Sequence, residues 1–117
     1  MLEASHLRVA LITIDTLEAA RTLAQDLVKE RLAACVTLVP GVESVYEWEG
    51  AIHQDREFLM IVKTTDARFP ALESAVRARH PYATPEILAL ASAQVSEAYR
   101  QWVERTVSAD ADISAAQ

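Results

Sequence analysis

Apolar residues alternate or run together at three places along the chain, and each reads as a strand. Between Leu7 and Ile14 only Arg8 and Thr13 are clearly polar. Phe58-Leu59-Met60-Ile61-Val62 is apolar at five consecutive positions. Strand side chains alternate between faces, so an unbroken apolar run needs both faces of its strand out of water. Ile87-Leu88-Ala89-Leu90 repeats the pattern and is expected to open a later strand at Ile87. The organising stretch is Glu30 to Thr64, which reads as two long strands joined by a tight turn at Trp48-Glu49-Gly50-Ala51, with Gly50 suited to a positive φ. Pro40-Gly41 interrupts its first arm. Proline gives no N–H to a ladder and glycine commonly marks a bulge, so the expectation is one bent strand.

Elsewhere the spacing changes to that of helices. Asp15-Thr16-Leu17-Glu18 has the form of a capping box, and Leu17, Ala20, Leu23, Ala24, Leu27, Val28 and Arg31 follow on one helical face. Asp66 is the candidate cap of a second helix with Pro70 in its first turn; Phe69, Leu72, Ala75, Val76 and Arg79 carry it to His80, where Pro81 stops it. A stiff segment, His80-Pro81-Tyr82-Ala83-Thr84-Pro85-Glu86, leads to the last strand. A final helix begins near Ser96 with Val95, Tyr99, Trp102, Val103 and Val107 on one side. This order predicts an α+β, ferredoxin-like βαββαβ domain over residues 7–107, with a long hairpin between the second and third strands and an added C-terminal helix. Residues 1–6 and 108–117 are expected to be flexible ends. Helices cover one sheet face, so the economical cover for the other is a second copy of the chain.

At 117 residues the chain is one domain, able to bury roughly two thirds of its unfolded surface. A formal charge of −6 disfavours nucleic acid, whose binding rests on basic residues, and favours cations as partners. No apolar run approaches the roughly 18 residues of a membrane span, and MLEASHLR lacks signal-peptide order, so a cytoplasmic protein with no membrane partner is expected. The single cysteine, Cys35, has no internal disulfide partner. No nucleophile elbow or metal-protease motif is present, and no enzymatic activity is expected.

Four segments then agree with one family. ERLAACV, Val45-Tyr46-Glu47-Trp48-Glu49-Gly50, Ile61-Val62-Lys63-Thr64 and His80-Pro81-Tyr82-x-x-Pro85-Glu86-Ile87 stand in the order and spacing of the CutA family of divalent-cation tolerance proteins, which this chain resembles over about residues 8–107. The resemblance implies a homotrimer of ferredoxin-like subunits, PII-like in architecture, associated with copper binding and the response to metal ions. Thr37 stands where the family often has Asn, and the additional cysteines that some members carry are absent here.

Within that frame the candidate metal ligands are His80, Cys35 and Glu86, for copper or another divalent ion. Each also has a structural reading: Cys35 as a small buried hydrophobe, His80 as a helix cap bonded to free carbonyls, Glu86 as an ion-pair partner. Tyr46, Trp48, Lys63, Tyr82 and Trp102 are either packing residues or the lining of a cleft between subunits. A PII-like sensor binding a small metabolite in such clefts, and a purely structural scaffold trimer, are the alternative functions.

Overall fold

Strand β1 (Leu7–Ile14) lies between β3 (Ala51–Thr65) and β4 (Leu88–Ala91), and β2 (Cys35–Trp48) pairs with the outer side of β3, giving the sheet order β2-β3-β1-β4 with every pair antiparallel. Helices α1 (Leu17–Lys29) and α2 (Phe69–Arg79) complete the βαββαβ alternation, and α3 (Glu97–Val107) follows it. The computed structural model describes residues 6–108, so the expectations for residues 1–5 and 109–117 lie outside the described residues.

Alternation along β1 and β3 sorts the core. Ala10, Ile12 and Ile14 point to the same side as Met60 and Val62, and all are buried against Leu23 and Leu27 of α1 and Leu72 and Val76 of α2. The opposite side carries Val9, Leu11, Leu59 and Ile61, each only partly buried, with Leu88 and Leu90 about half exposed. Helix α3 covers one end of that second side, where Val103 and Val107 pack on Leu7 and Ala34. The run Phe58–Val62 therefore has one face in the core and one on an apolar surface that this chain leaves largely uncovered.

Several boundaries differ from the pattern-based expectation, each for a local reason. The α1 cap is Thr16, whose hydroxyl accepts from the Ala19 N–H at 3.1 Å; Asp15 lies one residue too early, so Glu18 sits in the first turn near the positive helix end rather than closing a capping box. At α2 the cap position is Arg68 without a side-chain cap bond, and Asp66 supplies its carbonyl to the Phe69 N–H and its carboxylate to Arg8. The fourth strand begins at Leu88, because Ile87 packs against the main core before the ladder starts. Arg31 does not extend α1. It takes a φ of 58°, with its N–H on the Val28 carbonyl and that of Leu32 on the Leu27 carbonyl, closing the helix in a Schellman motif usually built with glycine. Its guanidinium donates to the Thr106 carbonyl and its own carbonyl accepts from Arg68 Nε, contacts that hold the strained backbone. On α3, Tyr99 and Trp102 are more than a third exposed and meet in a tilted contact with ring centroids 5.5 Å apart, unlike the buried Val103 and Val107.

The hairpin turn is sharper than Gly50 alone requires. Glu49 and Gly50 both have positive φ, 51° and 83°, the signature of a two-residue type I′ turn whose twist matches the strands. A Cβ on Gly50 meets no atom within 4 Å, so its cost is set by the backbone. We expect Gly50→Ala to lower stability by about 1–2 kcal/mol and Glu49→Asn to raise it by a fraction of that, measured by urea unfolding at one chain concentration. Equal effects of the two changes would show that the turn is not held in this conformation.

Candidate functional site

The bend in β2 decides which residues meet. Cys35, Thr37 and Val39 pair with Lys63, Ile61 and Leu59; then two residues, Pro40 and Gly41, oppose Phe58 alone, and pairing resumes at Val42 with Glu57. Gly41, at φ 74°, takes the conformation this bulge needs. The extra residue changes parity, so Val42, Ser44, Tyr46 and Trp48 share the face that carried Cys35, Thr37 and Val39, opposite Glu57, Asp55, His53 and Ala51. Without the bulge Tyr46 and Trp48 would point away from Asp55 and Glu57. Tyr46 stacks on its cross-strand partner His53 at 5.4 Å and donates its hydroxyl to Asp55.

The segment after α2 closes the other side. His80 is buried: Nε2 lies 2.7 Å from the Thr13 carbonyl and Nδ1 accepts from the Tyr82 N–H at 3.1 Å, so the ring is neutral with its proton on Nε2 and both nitrogens engaged. The His80 ring also meets Tyr82 edge-on at 4.6 Å. Fixed in this way, Tyr82 donates its hydroxyl to Glu57 Oε2 at 2.6 Å, and Glu57 is only 5% exposed. Burial, then the bond to Glu57 and the nearby negative charge, push the Tyr82 phenol well above its ordinary value; Tyr46 is raised too, chiefly by its bond to Asp55. Between the hairpin and this segment lies an open cavity of about 880 Å³, with Tyr46, Trp48, Tyr82, Asp55, Glu57 and Glu86 in its wall.

Three of the five residues expected in a cleft, with Glu86 of the three metal candidates, thus line one cavity. The others are elsewhere. Lys63 Nζ donates to Thr37 Oγ1 at 2.6 Å and to the Ile61 carbonyl at 3.3 Å, and Cys35 Sγ lies 3.9 Å from the same Thr37 oxygen. That group sits on the same sheet face as Glu57, but six residues along β3, about 20 Å away. Trp102 belongs to α3, which packs at the Lys63 end through Leu7 and Ala34. A metal at His80 requires it to give up the Thr13 or the Tyr82 bond. Among the described residues, no three His, Cys, Asp or Glu side chains are gathered to hold a metal ion within one chain. Asp15, Asp55 and Glu57 also line the cavity; the sequence reading took Asp15 for a helix cap and did not single out the other two. Glu57 had a signal: it shares parity with Leu59 and Ile61, a carboxylate in an apolar stripe.

The chain matches the family model described as CutA1 divalent ion tolerance protein over residues 8–106. The chain belongs to the CutA1 family. It is 50% identical over 95 residues to the divalent-cation tolerance protein CutA of Thermus thermophilus, covering 81% of this chain and 92% of that one. It is 41% identical over 103 residues to the human protein CutA, of which it spans 58% while 88% of this chain is covered. Among solved structures, CutA from Synechococcus elongatus superposes with a TM-score of 0.85 at 42% identity, covering 91% of this chain and 94% of that chain. The Thermus thermophilus structure gives 0.81 at 49% identity, covering 83% and 94%. In this chain the ERLAACV segment places Cys35 at the start of β2, and the HPYATPE segment locks Tyr82 on Glu57.

Two outcomes follow for Tyr82. Removing its hydroxyl leaves the buried Glu57 carboxylate short of a donor, so Tyr82→Phe is expected to cost about 1–3 kcal/mol at neutral pH by urea unfolding. The folded state favours the neutral phenol, so its contribution is present below about pH 10, the value in the unfolded chain, and fades as pH rises beyond it. Stability should therefore fall less steeply above pH 10 in Tyr82→Phe than in the wild type. Identical slopes would mean that the Tyr82 phenol is not held neutral by this site.

Proposed function

We propose that the chain acts as a cytoplasmic homotrimer that binds copper or another divalent metal ion and takes part in the response to such ions, as a binding protein rather than an enzyme. The observation that carries the reading is the uncovered apolar face of the sheet in a member of a family named for divalent-cation tolerance. Leu11, Ile61, Leu88 and Leu90 on that face are what a second copy would bury, and contacts that run head to tail close into a ring. The same geometry explains the scattered candidates. Cys35, Lys63 and Trp102 lie toward one end of the face and Glu86, Tyr46, Trp48 and Tyr82 toward the other, so a head-to-tail neighbour would join the two ends in one cleft. Among the described residues no helix is long and apolar enough to cross a membrane.

The test is a titration of the purified protein with Cu(I) and Cu(II) against competing chelators, with zinc as control and the assembly mass followed. Saturable binding of copper that drops at least tenfold in Cys35→Ser or Glu86→Gln, with the trimer intact, is expected. Binding unaffected by these changes and by His80→Ala would sink the metal reading. A second reading is favoured by the cavity itself: a PII-like sensor holding a small metabolite in the clefts between subunits.

A further inference from the structure

Two opposite charges on one face of β3 lack a counterpart within the chain. Glu57 is only 5% exposed; its Oε2 accepts from the Tyr82 hydroxyl, and no donor reaches Oε1 among the described residues. Lys63 is half-buried six residues further along, with the same parity; its ammonium donates to Thr37 Oγ1 and the Ile61 carbonyl and meets no carboxylate among the described residues. At about 3.3 Å per residue the two lie about 20 Å apart, so they cannot meet in one chain. Burying either charge without its opposite is costly. Around Glu57 the cavity adds the carboxylates of Asp15, Asp55 and Glu86, while Arg56, the one basic residue of the lining, belongs by parity to the other face of β3. Tyr46 and Trp48 add aromatic rings to the same wall. Carboxylates flanked by ring faces form a socket for an ammonium on an apolar stem, and the other end of the same sheet face carries one.

We infer that the cavity receives Lys63 of a neighbouring copy, with Glu57 and Glu86 as its countercharges and Tyr46 and Trp48 beside its stem. The inference rests on the assembly proposed above and gives its junction a chemistry: the negative wall of one chain is neutralised from across the interface. An arrangement that set like ends together would oppose carboxylates to carboxylates, so the charges select the partner's orientation. A two-fold pair satisfies the same charges by exchanging both lysines and stops at two chains. A ring uses one lysine and one socket at each junction and links every copy to the next.

Lys29 and Lys63 are the two lysines of the chain, so a zero-length carbodiimide, which joins an amine to a carboxylate in direct contact, reads this junction. The full-length protein is expected to give covalent trimers on a denaturing gel, with a peptide joining Lys63 to Glu57 or Glu86. The trimer band should persist in Lys29→Met and be lost in Lys63→Met. In a second measurement, Lys63→Glu and Glu86→Lys are each expected to raise the concentration of half-dissociation at least tenfold, and the double variant, which restores opposite charges, to recover severalfold. A trimer band unchanged in Lys63→Met, covalent products that stop at dimers, or charge effects that simply add would each overturn the inference, with the wild type still sedimenting at three chain masses. A wild type that sediments as a monomer would remove the proposed assembly itself and this junction with it.

Discussion

The structure depends on the pairing of β1 with β3, because those two central strands are apolar on both faces and helices cover only one face along its length. Ile12, Ile14, Met60 and Val62 are sealed under α1 and α2, and the helices need do no more than present Leu23, Leu27, Leu72 and Val76 to them. The other face receives α3 at one end only. At roughly 25 cal/mol per Å² of apolar surface removed from water, the residues left there are a standing drive toward association. A soluble single chain has little reason to keep Leu11, Ile61, Leu88 and Leu90 in one exposed sheet face.

The second determinant is one residue long. By placing Pro40 and Gly41 against Phe58, the chain shifts the outer half of its hairpin so that Tyr46 and Trp48 join Asp55 and Glu57 on the face opposite the helices. That makes the polar cavity a continuation of the uncovered apolar surface. The His80 ring, with both nitrogens spent on backbone groups, then serves as a peg that fixes Tyr82 over Glu57. The peg and the bulge together set where Tyr46, Trp48, Tyr82 and Glu57 stand in the cavity wall.

Elements were legible in the sequence wherever burial alone decides them. The alternation in β1, the helical spacing from Leu17 to Val28 and the kink at Pro40-Gly41 all follow from apolar periodicity and backbone chemistry, and each stands where it was expected. What was misread depends on competition between near neighbours or on tertiary contact. Asp15 and Thr16 are both good caps and the choice between them turns on one residue of register. Arg31 stays in a left-handed conformation because Thr106 and Arg68 lie within reach, contacts across 75 and 37 residues that no local pattern reports. The candidate site was half legible: aromatic residues near the turn and in the HPYATPE segment were readable as packing or as a cleft, but that Tyr46 and Trp48 share a face with Asp55 and Glu57 depends on the bulge in β2.

The central claim is that the uncovered face of the sheet is an interface between copies of this chain. Sedimentation equilibrium of the wild type beside Leu11→Glu, which sets a charge in the middle of that face without touching the helix-covered core, tests it most directly. The account predicts a wild type at three times the chain mass and a Leu11→Glu protein that is folded and monomeric. A wild type that stays monomeric across micromolar concentrations, or a Leu11→Glu variant that assembles as well as the wild type, would contradict it.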